Sequence, residues 1–181
     1  MPKTYTLQVA GLTRELPICK VNDGLYIAAF IMFSDVEMTV RCAEELLKKA
    51  PAFDVLLTAE SKGIPLAYEM SRQSGKQYIL ARKSVKLYMR DPIEVNVKSI
   101  TTAAPQKMYL DADALGYLKG KRVLIVDDVI STGRSLESLE GLVEIAGGTV
   151  AGKAAVLAEG EASEREDILF LAPLPLFTDD K

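Results

Sequence analysis

The sequence predicts an α/β domain built around a mainly parallel β-sheet that helices flank. Short apolar runs rich in branched residues recur along the chain, and amphipathic stretches with helical spacing separate them. Strands that alternate with helices in this way are typical of a parallel sheet with right-handed crossovers. At 181 residues and 49% hydrophobic content, the chain is large and apolar enough for one domain with its own core.

The first third of the chain predicts short strands followed by a helix. Weak apolar alternation over residues 4–20 indicates strands, and an Asn-Asp-Gly turn then precedes a predicted strand over residues 25–33. Ser34 and Glu37 form a capping box, which predicts a helix that ends at about residue 50.

The middle third predicts two further strands, a helix and a long irregular segment. The strands are expected over residues 53–57 and 77–81, with a helix between them that Pro65 opens and Gly75 ends. Residues 82–108 break the pattern, and a segment of this length inside a compact domain usually forms a functional lid or hairpin.

The last third contains the most informative stretch. The apolar residues 123–126 predict a strand buried on both faces, and Asp127 and Asp128 are expected where this strand ends. A small-residue loop over residues 131–135 then leads into a helix. The remaining strands are predicted over residues 149–157 and 168–171.

The composition argues against several classes of function. The net charge of −3 does not favour a nucleic-acid or anionic-membrane partner, and no apolar run is long enough to cross a bilayer. The absence of histidine removes histidine acid–base chemistry and most transition-metal sites. Cys19 and Cys42 match no metal spacing and are expected as free thiols. We therefore expect a cytoplasmic protein without a nucleic-acid or membrane partner.

The two aspartates and the loop after them have the right context for a phosphorylated sugar. In open parallel sheets, ligands bind outside the carboxyl ends of the strands. Backbone N–H groups at a helix N-terminus bind phosphate, Gly133 allows close approach, and Ser131, Thr132 and Ser135 add hydroxyl donors. Two adjacent carboxylates suit vicinal hydroxyls instead. The alternative is a plain strand–turn–helix with solvated aspartates, which the complete pattern makes less favoured than a sugar-phosphate site.

A glycine-rich pattern at residues 147–153 matches G-x-x-x-x-G-K but lacks the context of a nucleotide-binding loop. Ala154 follows where Ser or Thr is needed, and the pattern closes a predicted helix instead of opening one. Nucleoside triphosphatase activity is therefore not favoured.

Residues 123–135 resemble the signature of the type I phosphoribosyltransferases. That signature combines a hydrophobic strand, two acidic residues and a Thr-Gly-Gly-type loop, and here Arg134 replaces the usual second glycine. Residues 59–63 resemble the pyrophosphate loop of the adenine enzymes, with Lys62 in place of arginine. Residues 31–36 resemble the segment that flanks the base in the adenine enzymes, and residues 81–86 resemble the start of their mobile loop. Residues 113–115 are also similar to the adenine enzymes.

The resemblance implies the type I phosphoribosyltransferase fold, as a single domain over residues 1–181. A small hood is expected from residues 1–33 and about 168–181, and a mobile loop at about residues 82–108. The implied reaction transfers phosphoribosyl from phosphoribosyl pyrophosphate (PRPP) to a purine base in purine salvage. Mg²⁺ is the implied cofactor, held by PRPP and not directly by protein ligands, and a homodimer is expected.

The resemblance also implies roles for individual residues. The peptide bond near Ser61 and Lys62 is expected to be unusual. The implied site residues are Asp127 and Asp128 for catalysis; Ser131, Thr132, Gly133, Arg134 and Ser135 for the 5′-phosphate; Ser61, Lys62, Gly63, Arg82, Lys83 and Lys86 for pyrophosphate; and Met32, Ser34 and Phe177 for the base.

Two departures from the adenine enzymes leave the base open. Thr102 lies where their mobile loop carries a glutamate thought to act on the base, and Ser34 lies where they have arginine. Overall resemblance favours adenine, and the xanthine enzymes are the next most similar. The alternative is a non-catalytic protein of the same fold that senses PRPP or a nucleotide. Hydrolysis or transfer to a non-purine acceptor also stays open.

Overall fold

The computed structural model describes residues 3–97 and 106–178. Eleven strands and four α-helices lie within these two ranges. The strands are β1 (Thr4–Val9), β2 (Leu12–Asn22), β3 (Leu25–Ala28), β4 (Val55–Ala59), β5 (Tyr78–Ala81), β6 (Ile93–Val97), β7 (Gln106–Leu110), β8 (Arg122–Ile130), β9 (Thr149–Glu159), β10 (Leu169–Leu174) and β11 (Leu176–Thr178). The helices are α1 (Val36–Lys49), α2 (Ile64–Ser74), α3 (Ala112–Leu118) and α4 (Arg134–Ile145).

Five parallel strands form the central sheet, which confirms the predicted fold class. Their order is β10-β9-β8-β4-β5, so β8 lies in the middle, paired with β4 and β9. Residues 123–126 are all buried, as the apolar run predicts. Because parallel strands end at the same edge, the carboxyl ends of β4, β5 and β8 bring their following loops together.

Two cores cover the two faces of this sheet. Alternate side chains such as Leu57 and Ile125 pack against α3 and α4 on one face. Their neighbours Leu56 and Leu124 pack against α1, α2 and the first strands on the other face. Burial on both faces explains why these strands are continuously apolar and not alternating.

The small sheet has the order β1-β2-β3-β11. Two predictions need correction here. The strand expected over residues 25–33 ends at Ala28, and beyond it Phe30 and Met32 are buried in the core that includes α1 side chains. Residues 169–174, expected in the hood, pair with β9 in the central sheet, and only the three-residue strand β11 joins β3.

Helix α1 begins one residue later than the predicted capping box. Ser34 has a φ of +69°, and Asp35 caps the helix by accepting the Met38 N–H at 3.0 Å. Glu37 does not complete a capping box, because it pairs with Arg14 of β2 at 2.7 Å. Among the described helices, none is long and apolar enough to cross a membrane.

A hairpin follows β5, an edge strand of the central sheet. Strands β6 and β7 pair antiparallel within the segment predicted to be a lid or hairpin, and a bridge from Arg82 to Tyr109 connects its base to the sheet. Thr102 lies outside the residues that the structure describes.

Candidate active site

Asp127 and Asp128 lie inside β8, which continues to Ile130 and so extends beyond the predicted end of the strand. Pairing with β9 persists as far as Ile130, and this pairing keeps both aspartates in extended backbone. Asp128 is 4% exposed, and its Oδ2 has no hydrogen-bond partner among the described residues. Asp127 accepts the backbone N–H of Asp128 at 2.9 Å through Oδ1. A buried carboxylate oxygen without a partner is unusual and indicates that a ligand group belongs there.

The environment disfavours full ionisation of this pair. Burial raises the pKa of Asp127, and the neighbouring charge of Asp128 raises it further, to about 8. Burial also raises the pKa of Asp128. The charges of Lys83 and Lys62 oppose these shifts at Asp127 and Asp128 respectively, without cancelling them. Two adjacent carboxyl groups of this kind hold a proton near neutral pH.

The loop after β8 surrounds a small cavity at the N-terminus of α4. The cavity has a volume of about 60 Å³ and is lined by Asp127 and by residues 129–136. Gly133 precedes the helix with a φ of +78°, a left-handed conformation that suits glycine. All five residues predicted to bind the 5′-phosphate therefore line one cavity, next to one of the two aspartates.

The loop after β4 packs closely against Asp127. Gly63 caps α2, and a side-chain carbon at this position would lie 2.9 Å from Asp127 Oδ1 and 2.3 Å from Thr58 Oγ1. The peptide bond between Glu60 and Ser61 is cis, one bond before the one that the sequence singles out. The structure thus brings the predicted pyrophosphate loop and the acidic pair together.

Glu60 organises the basic residues that follow β5. It accepts hydrogen bonds from Arg82 Nη1 at 3.2 Å and from the backbone N–H of Lys83 at 3.1 Å, and Lys86 Nζ lies 3.7 Å from its Oε1. These contacts hold the pKa of the Glu60 carboxyl below its usual value. Arg82 also donates to the hydroxyl of Tyr88. The sequence reasoning did not single out Glu60 or Tyr88; an acid beside a basic run was the available signal for Glu60.

The residues predicted to bind the base do not all lie together. Met32 and Ser34 line a cavity of about 210 Å³ between the first turns of α1 and α2, together with Pro65 and Tyr68. Phe177 is not among the lining residues. It lies in β11, with its ring edge-on to the Tyr5 ring at 5.7 Å.

Glu159 is a further acidic residue near the site. It ends β9 beside the carboxyl end of β8, and burial raises the pKa of its carboxyl while the charge of Lys62 opposes the shift. The charge of Lys62 lowers the pKa of both Asp128 and Glu159, so the lysine is a neighbour of both acids. For Glu159, the position at the end of a strand was the signal that sequence reasoning had available.

Comparison with known proteins identifies the family. The Phosphoribosyl transferase domain model matches residues 40–172. Adenine phosphoribosyltransferase of Cenarchaeum symbiosum is 34% identical over 136 residues, which cover 70% of this chain and 77% of that protein. The chain belongs to the purine branch of the phosphoribosyltransferase family. It is therefore an enzyme of the pentosyltransferase class, as the sequence predicts.

Other phosphoribosyltransferases agree with this assignment. Hypoxanthine/guanine phosphoribosyltransferase of Methanothrix thermoacetophila is 33% identical over 112 residues, covering 62% of this chain and 55% of that protein. The crystal structure of adenine phosphoribosyltransferase from Thermoanaerobacter pseudethanolicus has a TM-score of 0.71 at 21% identity, covering 87% of this chain and 95% of that one. This likeness confirms the phosphoribosyltransferase fold.

The family match also separates two parts of the site. Residues 40–172 include the aspartates, the loop after β8 and the loop after β4. Met32 and Ser34 precede this range, and Phe177 follows it. Family membership therefore informs the predicted sugar and pyrophosphate sites more than it informs the predicted base site.

Proposed function

We propose that this phosphoribosyltransferase transfers the 5-phosphoribosyl group from PRPP to adenine, forming the nucleotide and pyrophosphate. The observation that carries the proposal is the pair of the half-buried Asp127 and the buried Asp128 beside the cavity of about 60 Å³ at the N-terminus of α4. A helix N-terminus attracts phosphate, whereas adjacent carboxyl groups attract hydroxyls. A phosphorylated ribose satisfies both preferences at once.

The proton held by the acidic pair has a specific use in this proposal. One carboxyl group donates a hydrogen bond to one ribose hydroxyl, while the ionised oxygens accept from the hydroxyls. Repulsion between adjacent carboxylates strongly raises the pKa of one of them, so in this proposal the pair carries one proton and keeps one negative charge close to the sugar ring. That charge stabilises the positive charge that develops at C1′ as the pyrophosphate leaves.

Positive side chains near the acidic pair are proposed to bind the leaving pyrophosphate. The charge of Lys62 lowers the pKa of Asp128, and the charge of Lys83 lowers the pKa of Asp127. Arg82 and Lys86 both pair with Glu60, in the loop that also contains Lys62. Fixed cations at this position stabilise the charge that accumulates on the leaving group. In the same proposal, the hairpin segment limits the access of water to the reacting sugar.

Mg²⁺ is proposed as the cofactor, bound chiefly through PRPP. Among the described residues, no cluster of three or more His, Cys, Asp or Glu side chains could hold a metal ion. The donors fit a Mg²⁺ ion all the same, because this ion is usually bound by one or two carboxylates together with substrate phosphates, and Asp128 offers an unpartnered oxygen. When bound, Mg²⁺ neutralises charge on the pyrophosphate.

Adenine is favoured because the curated relatives with broad coverage are named for it. Hypoxanthine and guanine follow, since other relatives are named for those bases. These names give no support to xanthine. A conversion assay with radiolabelled adenine, hypoxanthine, guanine and xanthine, with PRPP and Mg²⁺ in excess, tests the choice. We expect adenine to give the highest kcat/KM, and the Asp127→Asn, Asp128→Asn double variant to lose turnover.

The assay also distinguishes the alternative of a ligand sensor, which the position of Thr102 motivates. A sensor would bind PRPP in a calorimeter without consuming it, so conversion of any base excludes a purely sensing role. Failure of every base, together with intact PRPP binding, would contradict the proposed transfer reaction.

A homodimer is also proposed. Val36 and Tyr68, which line the cavity between α1 and α2, are 72% and 57% exposed. Exposed large apolar side chains on one rim are typical of interaction surfaces. Light scattering coupled to size-exclusion chromatography measures the mass: twice the 19.7 kDa chain mass supports the dimer, and the single-chain mass contradicts it.

A further inference from the structure

A compact ion cluster lies behind the loop that follows β8. Lys153 of β9 contacts Glu140 of α4 at 2.8 Å and Asp167 at 2.5 Å. Arg165 donates to both oxygens of Asp167, through Nε at 2.9 Å and Nη2 at 2.7 Å. The cluster therefore connects α4, β9 and the segment between β9 and β10.

Arg165 extends from this cluster to the phosphate loop. Nη1 is the guanidinium nitrogen that does not bind Asp167. It lies close to Gly133, because a side-chain carbon added at Gly133 would be 2.8 Å from Arg165 Nη1. Arg165 does not line the cavity at the loop. It therefore contacts the loop from outside, and a direct bond to a ligand in the cavity is not what the geometry favours.

The fork between Arg165 and Asp167 is geometrically defined. A guanidinium that makes two parallel bonds to one carboxylate has a fixed plane, so its third nitrogen has a fixed direction. Lys153 donates to Asp167 Oδ2, the oxygen that also accepts from Arg165 Nη2, and the Lys153 side chain is only 14% exposed. These bonds hold the pKa of the Asp167 carboxyl below its usual range, so the anchor stays charged at neutral pH.

We propose that Arg165 is a positioning residue for the 5′-phosphate loop: held by Asp167, Lys153 and Glu140, its Nη1 end supports Gly133 in the conformation that binds the phosphate. The inference rests on the proposed function, because it assigns the loop the phosphate of PRPP. A substitution at position 165 then lowers the fraction of molecules with a competent loop. Apparent affinity falls in proportion to that fraction.

The test is calorimetric titration of the full-length protein with ribose 5-phosphate, together with the KM values for PRPP and adenine. In Arg165→Ala we expect the dissociation constant for ribose 5-phosphate and the KM for PRPP to rise about tenfold, as a loop competent in one molecule of ten requires. The KM for adenine is expected to stay within twofold. A lost sugar-phosphate affinity with an unchanged base KM is a pattern that general loss of structure does not produce.

Two variants separate the fork from charge alone. Asp167→Asn leaves Arg165 in place but weakens its anchor, and we expect it to weaken ribose 5-phosphate binding in the same direction. Arg165→Lys keeps the charge without the two-point fork and should not restore wild-type affinity. The matched control is Arg122→Ala, because Arg122 forms the same kind of fork with Asp54 at the opposite end of β8. It should leave ribose 5-phosphate binding unchanged.

The outcomes distinguish this inference from the proposed function. Wild-type protein that does not bind ribose 5-phosphate contradicts both. The inference alone is overturned if the wild-type protein binds ribose 5-phosphate and the dissociation constants of Arg165→Ala and Asp167→Asn both stay within twofold of the wild-type value. Full affinity in Arg165→Lys also overturns it. If circular dichroism shows that Arg165→Ala is unfolded, Asp167→Asn and Arg165→Lys decide the question by the same criteria.

Discussion

Gly63 is the residue whose replacement tests the packing between the loop after β4 and the acidic pair most sharply. A side-chain carbon at this position would lie 2.3 Å from Thr58 Oγ1, 2.9 Å from Asp127 Oδ1 and 3.2 Å from Asp127 Cα. Its φ of −71° is available to alanine, so the cost of Gly63→Ala comes from these contacts and not from the backbone conformation. Thr58, Asp127 or the loop itself must move.

The expected magnitude follows from overpacking. Inserting a carbon into a filled interior typically costs about 1–3 kcal/mol. For a chain of this size, that corresponds to a fall in Tm of about 2–12 °C, at roughly 2–4 °C per kcal/mol. Displacing a reacting group by about 1 Å lowers the rate by about 100-fold. We therefore expect kcat/KM for PRPP to fall more steeply than the stability.

Thermal unfolding and steady-state kinetics measure both effects, with Gly116→Ala as the matched control. Gly116 lies inside α3 with nothing within 4 Å of an added carbon, so its replacement should stabilise the protein by about 0.5–1 kcal/mol. Adding Thr58→Ala to Gly63→Ala removes the shortest contact and should recover part of the stability. A Gly63→Ala variant as stable and active as Gly116→Ala would refute the packing argument.

Three further predictions use the same described residues. The pKa of Asp127 is raised to about 8, so folding binds a proton, and the contribution of this group to stability is lost as the pH rises from about 4 through 8. In urea unfolding, Asp127→Asn should therefore gain stability relative to wild type between pH 5 and pH 8, by up to about 1.4 kcal/mol per pH unit. A stability difference that stays constant with pH would contradict this. Thiol titration should detect the exposed Cys19 quickly and Cys42 only on unfolding, because burial raises the pKa of Cys42 to about 12; two fast thiols would be the contrary result. Lys62→Ala should weaken pyrophosphate binding about 10–150-fold, the equivalent of roughly 1.5–3 kcal/mol for a bond to a charged group, and unchanged inhibition by pyrophosphate would remove Lys62 from the site.

Much of the fold could be predicted because its strands are buried on both faces. The continuous apolar run at residues 123–126 has few other structural explanations once acidic residues and a glycine loop follow it. The limits of the strand were harder to predict. Polar residues usually end a strand, yet β8 continues through Asp127 and Asp128, because its pairing with β9 persists to Ile130.

The start of α1 shows a second limit of sequence reasoning. Ser34 with Glu37 is a good local capping signal, but Arg14 of β2 binds both Asp35 and Glu37. A contact between residues 21 positions apart in the chain thus favours Asp35 as the cap. Local patterns do not contain such pairings, and tertiary contacts override local preference.

The predicted site shows the same difference between local contacts and contacts far along the chain. Residues that follow one strand, such as the loop at 131–135, are neighbours in the chain and could be grouped from sequence. Glu60 and Arg165 were missed because their roles depend on partners far along the chain: Arg82 for Glu60, and Gly133 for Arg165. Phe177 was grouped with Met32 and Ser34, but its ring packs on Tyr5 in the small sheet.

The most direct test of the central claim is a crystal structure of the protein with adenosine monophosphate. The proposed site predicts the phosphate within about 3 Å of backbone nitrogens at residues 131–135, the distance of a normal hydrogen bond. It also predicts both ribose hydroxyls on the carboxyl groups of Asp127 and Asp128. A nucleotide whose phosphate lies outside this loop, or whose ribose does not contact either aspartate, would contradict it.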